Sequence, residues 1–530
     1  MLAVSADPTV SGARASRWFA AAIGIASALL AYAFTGPLAI GGHDEGVYLA
    51  TARALAESGE YRLINLPSAP LQTKYPPAYA ALLALTKRGL HLDPQQVRPL
   101  KAINAACLIA IVFLTSELAR TLSGGSPGVS VVAALLTGTS LALVSQVDLI
   151  VSDLLFVALL LGALVTMERR SPVQTMIAGC LLGAATLTRT VGLAAILGTL
   201  SHEATRPSRR SLWLLVPALT ISGAWFLWSA AYRAHVGPIE DYYVGYGSFM
   251  WLNALSEPAF TWRVVFANVL EYLKAAPLIF GVPELVTAAA LVVGAALGGW
   301  SVRRHVLLRH ALPMATVYGV VLVGFPYAFS RYLLPAVPLA YALMACGITS
   351  QARDGRRSGA VPIVAWACVL VMLVANAVEV RQFSRQSPDR LPVGFGMYLP
   401  FQPAGFIQTA DWIRRNTPDD ARLGSSNDTA YFTLTGRRGV RPWPYEPELY
   451  NPHYGPPPPI RRVDVPNELA RLGVDYIIVD PYLYDVKPYA EGYLNRVLRA
   501  PGECWILAFT SDNTVHQVYR RAPAAACAAR

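Results

Sequence analysis

His43, Asp44 and Glu45 place an imidazole and two adjacent carboxylates directly after an apolar run at residues 18–40. Charge beside hydrocarbon is costly unless it meets water, a partner or a substrate. A carboxylate held at that edge can take the proton of a hydroxyl. The plainer reading of an acidic pair after a helix is a cap or a solvated turn. Neighbours in sequence point in different directions, so Asp44 is read as facing a site and Glu45 as supporting it. His43 and Tyr48 are further candidates for support. One His beside two acids is weak evidence for a metal, so metal use is unknown at this stage.

Asp148 and Asp153 form a second acidic group. Asp153 opens Ser152-Asp153-Leu154-Leu155-Phe156. It is either a helix cap or a carboxylate on the same face as Asp44 that orients an acceptor or binds a cation. Lys74 stands just before Tyr75-Pro76-Pro77. It either snorkels to the headgroups or neutralises a phosphate through a charge-assisted contact. Arg189 lies between two short apolar stretches, and Arg331 lies in Ser330-Arg331-Tyr332-Leu333-Leu334-Pro335. Each is an interfacial anchor or faces a cavity that holds an anion. Tyr242, Tyr243, Tyr246, Trp251 and Trp262 read as an aromatic belt in preference to a sugar-facing loop. Asn427-Asp428-Thr429 fits a glycosylation sequon but carries no weight without a known host.

The elements that must position these residues follow from composition. The chain has 530 residues, 54% hydrophobic and only 15% charged. Soluble domains carry about 25% charged residues. The net charge of +11 sits mostly as Lys and Arg clusters between apolar runs, which fix topology, so nucleic acid is not expected as a partner. Arg14 and Arg17 precede the first run, which exceeds the ~7–15 apolar residues of a signal peptide and reads as an uncleaved first span. Its N-terminus is then cytoplasmic and His43-Asp44-Glu45 external. An external segment, residues 41–99, holds an amphipathic helix at 44–57 and an interfacial helix from 77 to 86. Spans are expected at 101–121, 129–147, 154–167, 173–187, 191–201, 212–232, 275–300, 312–329, 332–348 and 361–380. Residues 235–274 read as a long external aromatic stretch. The fold class is mainly α, a polytopic membrane protein of about eleven transmembrane helices.

Two regions are expected: a transmembrane catalytic domain at 1–380 and an extracytoplasmic α/β domain at 381–530. The second begins where Pro, Asn, Asp and Arg rise. Helices are expected at 404–416 and 468–472, strands at 422–426 and 476–479, and a hairpin at 505–510 and 515–520. Residues 456–459 are a polyproline loop. The six Cys show no metal spacing, and Cys504 and Cys527 read as two unpaired thiols in preference to a disulfide.

With these residues in place, the chain resembles the GT-C superfamily of membrane glycosyltransferases, in particular the bacterial branch related to protein O-mannosyltransferases and the aminoarabinose transferases of lipid A. The resemblance rests on His43-Asp44-Glu45 with Tyr48, Lys74-Tyr75-Pro76-Pro77-Ala78-Tyr79, Ser152-Asp153-Leu154-Leu155-Phe156, Leu187-Thr188-Arg189 and Arg331-Tyr332-Leu333-Leu334-Pro335. It implies a GT-C fold at the cell inner membrane and an inverting transfer from a polyprenyl-phosphate-linked sugar donor to a lipid, glycan or protein acceptor at the outer face. Asp44 would be the base, with Glu45 and Asp153 completing the catalytic set. Lys74, Arg189 and Arg331 would meet the donor phosphate. Arg189 stands where relatives usually have Lys, a change that alters geometry. No cofactor is expected with certainty. A divalent metal ion is the one the family would bring, but Thr73 replaces a Glu implicated there in metal binding. A transporter or flippase of lipid-linked sugars is the main rival, weakened by the absence of an internal repeat. A structural or assembly partner is the second.

Overall fold

The structure, a computed structural model, describes residues 8–38, 43–93, 95–168, 171–205, 207–245, 258–279, 285–325, 330–348, 360–384, 403–443, 464–480, 494, 497–500 and 504–523. Gly41, Gly42, Tyr246, Trp251, the 456–459 polyproline run, Cys527 and several basic connections lie outside these residues. The helices, in order, are α1 (Pro8–Ala33), α2 (His43–Glu57), α3 (Pro77–Gly89), α4 (Ala102–Leu122), α5 (Pro127–Gly138), α6 (Leu141–Val144), α7 (Asp153–Met167), α8 (Pro172–Thr188), α9 (Gly192–Ala204), α10 (Arg209–Tyr232), α11 (Pro238–Val244), α12 (Pro258–Ile279), α13 (Leu285–Ser301), α14 (Val306–Gly324), α15 (Ala336–Gly347) and α16 (Ala360–Ser384).

Among the described residues, five helices are long and apolar enough to cross a membrane: Gly12–Ala33, Arg98–Leu122, Arg209–Tyr232, Val306–Gly324 and Ile363–Arg381. A bent pair, Pro127–Gly138 with Leu141–Asp148, forms a sixth, and four shorter apolar helices accompany them. Trp18, Leu29, Leu212, Leu227, Ile363 and Leu370 are all more than 60% exposed. Such apolar flanks need lipid to cover them, and the chain is a multi-pass membrane protein. The class agrees with the sequence expectation; the count of eleven spans is not reproduced as such.

Two spans differ from expectation for visible reasons. The span expected at 129–147 is broken by a 56° bend after Gly138. A Cβ at Gly138 would press on Ser27 and Ile23 of α1, so the break lies where two helices approach closely. The Asn376 amide donates to the Leu136 carbonyl (3.2 Å) and to Thr139 Oγ1 (3.2 Å). It supplies the partner that a broken helix needs inside a bilayer. The single span expected at 275–300 is two helices, α12 and α13, and α12 occupies part of the stretch read as an external loop.

The C-terminal region holds α17 (Pro403–Asn416), β1 (Leu423–Gly424), α18 (Asp428–Thr435), β2 (Gly439–Val440), α19 (Val465–Arg471), β3 (Tyr476–Val479), β4 (Trp505–Thr510) and β5 (Gln517–Arg521). The sheet runs β2-β1-β3-β5-β4, with β2, β1 and β3 parallel and the expected β4–β5 hairpin antiparallel. Cys504 is disulfide-bonded, which corrects the expectation of two unpaired thiols.

The amphipathic helix expected at 44–57 is α2, and it is buried on most of its surface, from His43 and Glu45 to Ala52 and Ala54. Helix α18 covers its second face. A Cβ at Gly46 would overlap the Thr429 side chain, so glycine is required where the two helices meet. Helix α18 thereby packs the C-terminal region against the helix that carries Asp44.

Candidate active site

Helix α2 starts with Asp44 and Glu45 in its first turn, where carboxylates meet free amides and the positive dipole end. The two side chains separate as expected. Glu45 is 1% exposed and accepts a hydrogen bond from the Ile150 amide (2.7 Å). It anchors the segment leading into α7. Asp44 keeps 24% exposure and forms an ion pair with Arg331. Its other oxygen accepts a hydrogen bond from the Tyr75 hydroxyl (2.6 Å).

Asp153 is the first residue of α7, after the cap residue Ser152, whose side chain makes no capping hydrogen bond; Asp153 pairs with Arg189, at the end of α8. Helices α8 and α9 leave Arg189 in an extended conformation between them. The Tyr332 ring lies beneath both guanidiniums, 5.0 Å from that of Arg189 and 5.7 Å from that of Arg331. Tyr332 is held by the Tyr318 hydroxyl, which donates to its carbonyl (2.7 Å). The Asp44–Arg331 and Asp153–Arg189 pairs therefore meet across one aromatic ring. Tyr48 links the same elements through a 2.8 Å hydrogen bond with Ser152 and an edge contact with Tyr75.

Burial alone would raise the Asp44 carboxyl. Arg331, His43 and the hydrogen bonds from Tyr75 and Arg331 outweigh it and hold Asp44 well below the usual carboxylate range. Lys74 is 3% exposed, and its Nζ donates to the Tyr242 carbonyl (2.7 Å) and lies 3.6 Å from the centre of the Tyr242 ring. Burial pushes the Lys74 ammonium down to about 7, with Arg441 adding to this and Asp44 and Asp241 opposing it. The loop is preset: Gln72 Oε1 accepts from the Lys74 and Tyr75 amides, and the Tyr61 hydroxyl donates to the Tyr75 and Pro76 carbonyls.

Two expected residues take other partners. Asp148 accepts from Lys101 Nζ (2.7 Å) and the Gly36 amide (2.8 Å), tying the end of α1 to the start of α4. His43 packs between Tyr242 and Tyr243, with Nδ1 3.6 Å from Asp428 Oδ1. Burial, then Arg441, push its imidazole down to about 4. Tyr242 and Tyr243 thus wrap His43 and Lys74 and form no membrane belt, whereas Trp262, 72% exposed, fits one. Thr73, at the position where the aminoarabinose branch has Glu, donates to the Val244 carbonyl (2.6 Å). Among the described residues no group of three metal-ligating side chains gathers around Asp44. Asp44 and Asp153 each face an arginine, and no step is routed through a metal ion.

Sequence reasoning missed Tyr75 and Tyr332 as site residues, although each directly follows a cation it had singled out. It also missed Asp428 and Arg441. Asp428 accepts from the Tyr243 hydroxyl (3.0 Å), and the Arg441 guanidinium lies 5.3 Å from the Tyr242 ring centre. No local pattern marks them, because their partners are about 200 or more residues away in a region read as a separate domain.

No family model matches the chain, and neither does any curated protein. Solved structures do. The archaeal oligosaccharyltransferase AglB from Archaeoglobus fulgidus, in complex with an inhibitory peptide and a dolichol-phosphate, superposes with a TM-score of 0.54 at 14% identity, covering 95% of this chain and 74% of that one. ArnT from Cupriavidus metallidurans, bound to undecaprenyl phosphate, gives 0.53 at 18% identity over 94% of this chain and 97% of its own. The mycobacterial arabinofuranosyltransferase AftD gives 0.52 at 15% identity over 95% of this chain and 41% of its own. All three are GT-C glycosyltransferases, and the chain has their fold.

Proposed function

We propose that the protein is an inverting glycosyltransferase that moves a sugar from a polyprenyl-phosphate donor to a hydroxyl at the outer face of the inner membrane. The observation that carries this reading is the meeting of Asp44–Arg331 and Asp153–Arg189 across Tyr332, with Lys74 next to the tyrosine that holds Asp44. The acceptor oxygen attacks the anomeric carbon, the bond from that carbon to the phosphate oxygen breaks on the opposite side, and Asp44 takes the hydroxyl proton. The leaving lipid phosphate gains negative charge, which Arg331, Lys74 and Arg189 offset. The disulfide at Cys504 supports an extracytoplasmic C-terminal domain, since such bonds persist in oxidising compartments. The GT-C neighbours that bind dolichol-phosphate or undecaprenyl phosphate support the donor class.

Purified protein in lipid nanodiscs, offered a panel of synthetic polyprenyl-phosphate sugars with extracted envelope lipids and glycans, is expected to release polyprenyl phosphate and a glycosylated acceptor. Movement of the intact lipid-linked sugar across the bilayer, with no transfer, would instead establish the transporter reading.

Lys74 adds a pH signature. With its ammonium near 7 before the donor arrives, binding of a permanently charged phosphodiester raises it and takes up a proton. Affinity is then full below pH 7 and falls up to about tenfold for each pH unit above it. Calorimetry with a non-reactive donor analogue between pH 6 and 9 should show this slope, and Lys74→Arg, always charged, should flatten it. A flat wild-type profile would remove Lys74 from the phosphate site.

A further inference from the structure

At the other end of α9 from Arg189, His202 and Glu203 meet His310 of α14. Their ligating atoms all lie within 4.8 Å of one another. The two imidazole rings are 4.5 Å apart, centre to centre. His310 is 5% exposed, and its Nδ1 has no hydrogen-bond partner. Glu203 Oε1 lies 3.8 Å from it, too long for a hydrogen bond. The other Glu203 oxygen, Oε2, accepts from the Ser211 hydroxyl at the start of α10. Ser211 thereby turns Oε1 towards His310 and leaves that oxygen available as a ligand, the orienting contact that metal-binding carboxylates use.

The geometry points to a divalent transition-metal site, of the zinc type, built from His202, Glu203 and His310. Two neutral imidazoles and a carboxylate suit a borderline cation, and three protein ligands leave one position for water. Bonds of about 2.0–2.1 Å in a tetrahedron set ligand atoms roughly 3.3 Å apart, so the group closes by no more than about 1.5 Å, within the reach of side-chain rotation at His202 and Glu203. Arg210, the nearby cation, is turned to the Met167 carbonyl. Helices α9 and α14 already cross closely here, since a Cβ at Gly198 would meet the Met314 backbone. The ion would lock this crossing. Helix α9 is about 20 Å long, and its outer end follows Arg189 directly, so the ion would steady the helix behind the site without joining the chemistry. The clusters of Arg around this end place it on the cytoplasmic side.

Full-length protein, stripped with a chelator and then dialysed against limiting Zn2+, should retain about one equivalent by elemental analysis, and its thermal midpoint should rise with Zn2+. Co2+ should give the visible absorption of a tetrahedral site. His310→Ala and His202→Asn should each lose the retained metal, the Co2+ absorption and the thermal response. His202→Asn serves if His310→Ala fails to fold, because His202 is only partly buried. Wild type that releases its zinc on dialysis, or a folded His202→Asn that retains it equally, would overturn the site.

Discussion

Asp44→Asn is expected to lower kcat for sugar transfer by ~10²–10⁴-fold, the usual contribution of a general base, with donor affinity retained or improved. Asn keeps the size of the side chain and can still accept from the Tyr75 hydroxyl. It cannot take a proton. It also removes the carboxylate that Arg331 pairs with, and the proposed reaction assigns that guanidinium to the donor phosphate. The opposite movement of kcat and affinity separates a base from a residue that merely holds Arg331 in place. A structural role would weaken donor binding and lower the melting point together. The Asp44 carboxyl, held well below its ordinary range, gives the wild-type cycle its order. Paired with Arg331, Asp44 is a weak base. Phosphate binding draws Arg331 away, and the carboxyl rises towards its ordinary range, so the base strengthens when the donor is present. Single-turnover rates and donor binding measured on both proteins decide the matter; transfer within tenfold of wild type would remove Asp44 from the chemistry.

Much of this arrangement is legible in the sequence. Asp44, Lys74, Asp153, Arg189 and Arg331 stood out because charge at the ends of apolar runs needs a partner. The structure gives Asp44, Asp153, Arg189 and Arg331 each an oppositely charged partner and seats Lys74 against Tyr242. The pairings themselves were not legible. Arg331 and Asp44 are separated by 287 positions, and no local rule connects them. Asp148 shows the converse. It met the same criterion as Asp153, yet Lys101 and the Gly36 amide claim it for the joint between α1 and α4. The broken α5 was hidden because apolar composition continues through the bend, which a neighbouring helix imposes at Gly138. The burial of α2 was hidden for a related reason. Its small residues read as a weakly amphipathic face, but they are the surface on which α18 rests.

The Asp153–Arg189 pair carries a large expected stability effect. The two side chains are 5% and 17% exposed, and Asp153 Oδ2 has no hydrogen-bond partner. Arg189→Ala leaves a buried carboxylate without its counter-charge, which costs about 3–5 kcal/mol in comparable buried pairs. Asp153→Asn strands Arg189 less severely, because that guanidinium is more exposed and keeps its contact with Tyr332. In the double variant, Arg189→Ala with Asp153→Asn, no charge is left unpaired. Thermal stability should return most of the way to wild type, a coupling that a double-mutant cycle reads directly. Transfer should not return if the proposed reaction holds, since that reaction uses Arg189 towards the donor phosphate and Asp153 towards the acceptor. Stability and activity therefore part company in this one protein. If the double variant recovers both, the pair is a strut of the α7–α8 joint and the phosphate must be held by Lys74 and Arg331 alone; if it recovers neither, the ion pair is not the unit that the geometry describes.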